Sequence, residues 1–140
     1  MAIGPELPAL IVAHHEETNS RLPLAVGWQE LLRLESQGML CILTARDGSR
    51  LVGYVCNLVR SHLFAVGTLH GFVEAYYLLP EYRRGWNGYN LLKRNDEMLV
   101  QVGCKLILIT AELRHKQGRS GALLKRLGYA PEATTWVKLV

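Results

Sequence analysis

The stretch Phe72–Met98, FVEAYYLLPEYRRGWNGYNLLKRNDEM, decides how the rest of the chain is organised. It begins as an apolar run rich in β-forming residues that stops at Pro80, and a short basic turn with two glycines follows. Apolar residues then recur at Leu91, Leu92 and Met98, which is the spacing of one helix face. The stretch therefore predicts a strand, a basic turn and a helix in succession.

The turn itself, Arg83–Gly88 (RRGWNG), has the composition of a phosphate-binding segment. The first amides of a helix lack an intrahelical partner, and the helix dipole favours negative charge at that end. Glycine also lets a ligand come close to the backbone. We therefore predict that this turn holds the pyrophosphate of a nucleotide-containing cofactor.

Length and composition favour a single domain over residues 1–140. Hydrophobic residues make up 49% of the chain, which is enough for one core, and charged residues make up 20%. No apolar run reaches the roughly 18 residues of a membrane helix, and no signal peptide is evident, so we expect a cytoplasmic protein. Cys41, Cys56 and Cys104 are too scattered for a disulfide framework or a zinc site.

Charge and histidine patterns narrow the choice of ligand. The net charge is +4, from 16 basic and 12 acidic residues, and much of the excess lies between Arg83 and Arg126. This placement favours cofactor phosphates as the ligand, while a basic nucleic-acid-associated protein stays open as an alternative.

The run His14–Glu17 (HHEE) lacks the spacing of a metal motif and predicts a solvated helix end, so we expect no metal.

The remaining periodicity predicts the order α-α-β-β-β-α-β-α-β. Asp47-Gly48 predicts a tight hairpin, and Ser61–Gly67 predicts a looser connection. The run Lys105–Thr110 (KLILIT) predicts a strand covered on both faces that pairs in parallel with the preceding strand. The fold class is α/β, an antiparallel meander followed by a parallel βαβ unit. We predict helices over 5–17, 28–37, 87–102 and 120–127, and strands over 40–45, 51–60, 68–79, 105–110 and 134–139.

Three segments in this order resemble the GNAT family of N-acetyltransferases. Arg83 and Gly88 take the first and last positions of the family signature Arg/Gln-x-x-Gly-x-Gly/Ala. Trp86 stands at the first glycine of that signature, and Gly85 takes over its role, as in small phage-type members. The strand before the turn and the segment 122–129 (ALLKRLGY) resemble the family's flanking strand and last helix.

This resemblance implies a GNAT-like fold whose terminal strands are shortened or missing. It also implies an enzyme that transfers acetyl from acetyl-CoA to a primary amine, in the host cytoplasm if the chain is phage-encoded. A catalytically weak CoA-binding module of the same fold is an alternative. The positions matching the cofactor site are Tyr77, Leu78, Leu79, Arg83, Arg84, Gly85, Trp86, Asn87, Gly88 and Tyr89.

Acetyl transfer also needs a base and an acid. Glu74 lies in an apolar strand four residues before Leu78, so both side chains are expected on one face. Burial there would make Glu74 a better proton acceptor, and family members carry a glutamate at this position that acts through water. Tyr76 is expected on the same face and is the preferred acid.

The family's usual acid, a tyrosine, corresponds to Leu124, which cannot donate a proton. The thiolate could therefore leave without a protein acid, or Tyr76, Tyr77, His115 or Ser120 could serve.

Two further expectations concern the surface of the protein. Exposed edges of the sheet predict a homodimer. The acceptor amine cannot be identified from the sequence; its candidate neighbours are Arg21, His62 and His70.

Overall fold

The computed structural model describes residues 4–18, 20–111 and 119–140. The chain divides into two compact units, Met1–Thr110 and Ala111–Val140. Over the described ranges, the first unit contains three α-helices and four strands, and the second contains one α-helix. In chain order these are α1 (Glu6–Thr18), α2 (Trp28–Ser36), β1 (Leu40–Asp47), β2 (Arg50–His62), β3 (Ala65–Leu78), α3 (Asn87–Val102), β4 (Cys104–Ile109) and α4 (Arg119–Arg126).

The four strands form one mixed sheet in the order β1-β2-β3-β4. The first three strands are an antiparallel meander, and β3 pairs in parallel with β4. The predicted α/β class and the element order through α4 are confirmed. Gly48 closes the β1–β2 hairpin with a φ of +57°, a left-handed conformation that glycine adopts without steric cost.

One predicted connection and one predicted strand differ from the structure. The Ser61–Gly67 segment is mostly strand, because β2 and β3 stay paired as far as His62 and Ala65. The strand predicted over 134–139 is wrong, since these residues form neither helix nor strand. Trp136 is 91% exposed there, and β-forming residues make a strand only where they find a partner to pack and pair with.

The sheet carries a different core on each face. On the α1 face, Leu7 and Leu10 pack on Tyr54 and Tyr77 of the sheet. On the α3 face, Leu99 packs with residues of β2 and β4. The prediction that β4 is covered on both faces is wrong for the described residues, because Leu106 and Leu108 remain exposed.

Helix α3 forms where the sequence predicts it and is fixed to the sheet by an amide pair. Its buried residues recur at helical spacing, and Gly103 ends it with a φ of +107°. Asn95 of α3 and Asn57 of β2 are both fully buried and exchange hydrogen bonds of 2.8 and 3.0 Å. Asn57 also donates to the Cys41 carbonyl at 3.1 Å. This pairing satisfies both amides and fixes how α3 lies on the sheet.

Candidate active site

The central strand β3 has two halves with different neighbours. Over Leu69–Val73, which we call the closed half, it pairs with β2 on one edge and with β4 on the other. The pairing with β4 ends at Val73 opposite Ile109. Over Glu74–Leu78, the open half, β3 pairs only with β2 among the described residues. The open half therefore presents a strand edge to which an extended ligand could add.

A β-bulge separates the halves and reverses the side-chain alternation. Cys56 lies opposite Ala75 and Asn57 lies opposite Val73, so Glu74 has no partner on β2. Val73 faces α3, because its partner Asn57 binds Asn95 there. Ala75 nevertheless packs on the α1 face, which means that two successive side chains at the bulge share a face of the sheet.

The residues after the bulge have defined faces. Leu78 lies opposite Gly53, and Tyr76 lies opposite Val55, so both side chains lie on the α3 face, as the prediction of a shared face for these two residues requires. That Glu74 shares this face stays a prediction. A bulge is not visible in an apolar strand sequence, because it depends on the register with the neighbouring strand.

Glu74 is solvent-exposed and lies beside Cys56. Burial first, and charge repulsion from the Glu74 carboxylate second, raise the pKa of the Cys56 thiol to about 11. The burial that was expected around Glu74 is absent. Its carboxylate is instead accessible to water where β3 leaves β4.

The amide of Leu78 points toward the open edge. Leu79 donates its backbone N–H to the Val52 carbonyl of β2 at 2.9 Å. Successive residues of a strand direct their backbone groups to opposite edges, so the N–H and C=O of Leu78 face away from β2. A hydrogen-bond donor is thus available on the free side of the strand.

The turn after β3 has a defined conformation. A 3₁₀ turn, Pro80–Tyr82, follows the strand, and the Tyr82 hydroxyl donates to Asp47 at 2.8 Å. Gly85 has a φ of +66°, and a Cβ at Gly85 or at Gly88 would meet no atom within 4 Å. These glycines face open space, which leaves room for a ligand near the backbone.

The first amides of α3 are available to a ligand. The first helical hydrogen bond runs from the Asn90 N–H to the Trp86 carbonyl at 2.8 Å, so Asn87, Gly88 and Tyr89 have amides without an intrahelical acceptor. Within the described part of the chain, no side chain caps this helix end. Trp86 is exposed and meets Tyr89 edge to face at 5.4 Å.

The two arginines of the turn differ in their surroundings. The Arg83 guanidinium binds the Glu17 carboxylate with two hydrogen bonds and the Leu78 carbonyl with a third. The hydrogen bonds that Arg83 donates to Glu17 raise the pKa of Arg83. Arg84 is exposed, and the described residues give it no hydrogen bond or ion pair. The charge of Arg84 is therefore available to a phosphate, whereas that of Arg83 is already balanced.

Sequence reasoning missed a cluster on the α1 face. His14 accepts or donates a 2.7 Å hydrogen bond with the Tyr54 hydroxyl and stacks on Tyr77 at 4.8 Å. Burial raises the pKa of Tyr77, and Glu17 adds to the effect. The prediction of a solvated helix end is wrong for His14, which packs on the sheet, whereas Glu16 and Glu17 are exposed. His14 continues the spacing of Leu7 and Leu10, which could have placed it on the packed face.

The remaining candidates lie in several different parts of the chain. His62 and His70 lie together, with rings 4.6 Å apart, but the eight residues from His70 to Leu78 span roughly 26 Å along β3. Arg21 is exposed. His115 lies outside the described residues. Ser120 and Leu124 belong to α4 of the second unit, where Leu124 is buried.

Neither a metal site nor a membrane helix is found in the described ranges. No group of three or more potential ligands among His, Cys, Asp and Glu could hold a metal ion there. No helix in the same ranges has the length and hydropathy needed to cross a membrane.

Comparison with known proteins agrees with this geometry. The sequence profile described as "Acetyltransferase (GNAT) family" matches residues 7–129. No curated protein matches the chain. Several solved structures share its fold.

An aminoglycoside acetyltransferase from an uncultured soil metagenomic sample, in complex with sisomicin, superposes with a TM-score of 0.77 at 12% identity, over 97% of this chain and 89% of that one. A ribosomal-protein-alanine N-acetyltransferase from Brucella melitensis biovar Abortus 2308 superposes with a TM-score of 0.71 at 18% identity, over 96% of this chain and 91% of that one. A Trypanosoma brucei acetyltransferase gives 0.67 at 17% identity, over 94% of each chain.

Proposed function

The chain belongs to the GNAT family of acetyltransferases, and from this premise we propose that it transfers the acetyl group of acetyl-CoA to a primary amine. One observation carries the proposal: β3 leaves β4 after Val73, directly before a glycine turn and an uncapped helix end. An extended pantetheine arm fits a free strand edge, and a diphosphate fits the first amides of a helix.

The cofactor residues follow from this arrangement. The amides from Gly85 to Tyr89 bind the diphosphate, and Arg84 adds charge beside them. The open half offers its backbone groups to the pantetheine, as a neighbouring strand would. Trp86 and Tyr89 present exposed aromatic surface next to Gly88. Of Tyr77, Leu78 and Leu79, Leu78 contributes the free backbone groups, because the Leu79 N–H bonds the Val52 carbonyl and alternation directs the backbone of Tyr77 toward β2.

The chemistry assigns a distinct role to each group at the open edge. Acetyl-CoA supplies an activated thioester. The Leu78 N–H donates to the thioester oxygen as negative charge develops on it. Glu74 accepts a proton from the attacking amine, through water, because its carboxylate is solvent-exposed. The C–N bond forms, the C–S bond breaks, and the thiolate leaves.

Protonation of the thiolate does not use the family's tyrosine. Leu124 occupies that position and has no proton to donate. Tyr76 lies on the α3 face of the sheet, opposite Val55 of β2. We propose that the thiolate leaves without a protein acid and takes its proton from solvent.

The acceptor is proposed only as a primary amine. The names of two structural relatives give chemically different acceptors, an aminoglycoside and the alanine of a ribosomal protein. At 12% and 18% identity these relatives support the fold and not a choice between acceptors.

Binding and turnover together test the proposal. Calorimetric titration with acetyl-CoA and with CoA should give saturable binding. Release of CoA thiol should follow when amines are screened, including an aminoglycoside and a peptide with an N-terminal alanine. Absence of acetyl-CoA binding would refute the proposal.

The replacement of the family's tyrosine by Leu124 favours a second candidate, a CoA-binding module without catalysis. Binding without turnover on any amine would support this candidate. Binding only to DNA, weakened by salt, would support the nucleic-acid alternative.

Two further proposals concern organisation. The match over 7–129 runs across both compact units, which supports a single functional domain over 1–140.

The outer edges of β1 and β4 have no strand partner among the described residues, which supports a homodimer that covers an edge. Sedimentation at micromolar concentration should give a dimeric mass, and a monomeric mass would contradict it.

A further inference from the structure

Arg83 lies at a junction of three elements. Its Nε donates to the Leu78 carbonyl at 2.7 Å, and Nη1 and Nη2 donate to the two carboxylate oxygens of Glu17 at 2.5 and 2.7 Å. The guanidinium lies 5.2 Å from the centre of the Tyr77 ring. Arg83 thereby connects α1, the open half of β3 and the turn before α3.

The contact with Leu78 falls on the edge where a ligand would bind. The N–H and C=O of Leu78 both face away from β2, because Leu79 is the residue that pairs with Val52. A guanidinium bound to the Leu78 carbonyl restrains the backbone dihedral angles of that residue. The direction of the Leu78 N–H is restrained with them.

The contact with Glu17 holds the guanidinium in place. A fork of two parallel hydrogen bonds fixes the plane of an arginine side chain more tightly than a single contact. His14 of α1 also stacks on the Tyr77 ring and forms a hydrogen bond with the Tyr54 hydroxyl. Helix α1 therefore supports Arg83 both directly and through Tyr77.

We propose that Arg83 is a positioning residue, held by Glu17, that directs the Leu78 N–H toward the thioester oxygen, and that it is not a phosphate ligand. This inference rests on the proposed function. It assigns the phosphate charge to Arg84 and makes catalysis sensitive to Glu17, which lies on α1, 66 positions away from Arg83 in the turn.

The roles of Arg83 and Arg84 can be distinguished by measuring kcat and the Kd for CoA in variants of each. Glu17→Ala and Arg83→Gln should lower kcat about tenfold or more, while the Kd for CoA stays within about threefold of the unmodified protein. Arg83→Lys should restore only part of kcat, because an ammonium cannot form the fork. Arg84→Gln should raise the Kd for CoA and leave kcat at saturation largely unchanged. Glu16→Ala is the matched control on α1 and should change neither constant.

Amide exchange by NMR gives a readout that does not depend on activity. In Arg83→Gln and in Glu17→Ala, the Leu78 amide should exchange faster or shift, while the amides of the closed half stay as they are. Because Glu17 is exposed at the end of α1, its variant keeps the test available should Arg83→Gln fold poorly.

Three results would overturn the inference. The first is an Arg83→Gln variant that loses CoA affinity at least about tenfold with kcat unchanged, which is the behaviour of a phosphate ligand. The second is a Glu17→Ala variant with unchanged kcat and an unchanged Leu78 amide. The third is a native chain that does not bind acetyl-CoA at all, which would refute the proposed function and this inference with it.

Discussion

The closed and open halves of β3 are five residues each, and they differ in what borders their outer edge. Leu69–Val73 lies between two strands, whereas Glu74–Leu78 pairs only with β2 among the described residues. The closed half packs against α3 through the core of Leu99 and Cys104. The comparison teaches that the candidate site begins where the backbone ladder stops, so substitutions in the two halves should have different consequences.

The largest expected effect lies at the boundary of the halves. Glu74→Gln should lower kcat about a hundredfold, because it removes the proposed proton acceptor. Stability should change by no more than about 0.5 kcal/mol, because the side chain is exposed. Steady-state kinetics and urea denaturation measure the two quantities. Glu97→Gln, an exposed carboxylate on α3, is the control, and equal turnover in both variants would exclude Glu74 as the base.

Substitutions in the core beside the closed half should change the stability of the protein. Asn57→Leu leaves Asn95 without its buried partner and should lower the free energy of unfolding by about 2 kcal/mol. The double variant Asn57→Leu/Asn95→Leu should lose less than the sum of the single variants, since it leaves no unpaired amide. Denaturant titration of all three variants measures this coupling. Additive losses would show that the amide pair is not a unit.

Two glycines test the halves with matched substitutions. A Cβ at Gly53, opposite Leu78 in the open half, would lie 2.7 Å from the Tyr77 carbonyl oxygen. A Cβ at Gly71, in the closed half, would lie 2.9 Å from Leu99 Cδ1. Each alanine should cost about 1–2 kcal/mol of stability from overpacking. Only Gly53→Ala should also lower kcat, because it displaces the backbone next to Leu78. Equal loss of activity in both would contradict the division into halves.

The smallest expected effect concerns the turn. Gly85 and Gly48 both have left-handed backbones with open space around them, at φ of +66° and +57°. Alanine at either position should cost about 1 kcal/mol of stability. Only Gly85→Ala should also weaken CoA binding in calorimetry. If Gly48→Ala weakened binding equally, the loss would reflect general destabilisation.

Much of the framework could be predicted because local signals determine it. The spacing of Leu91, Leu92 and Leu99 together with Gly103 gives the bounds of α3, and Asp47-Gly48 gives the first hairpin. The basic turn after Pro80 gives the strand–turn–helix order. Each of these features depends on a few consecutive residues.

The features that were missed depend on residues far apart in the chain. The bulge at Glu74 is set by the register of β3 on β2, and it places Val73 and Ala75 on opposite faces. The Glu17–Arg83 pair joins residues that no local pattern connects. The strand predicted over 134–139 had suitable residues, but β-forming composition alone provides no partner to pair with.

The most direct test of the central claim is residue-resolved amide exchange with and without CoA. The account predicts slower exchange for Leu78 and for the amides from Gly85 to Tyr89 when CoA is bound. The amides of Leu69–Val73 should not change. Unchanged exchange at Leu78 and at the start of α3 in the presence of saturating CoA would contradict the account.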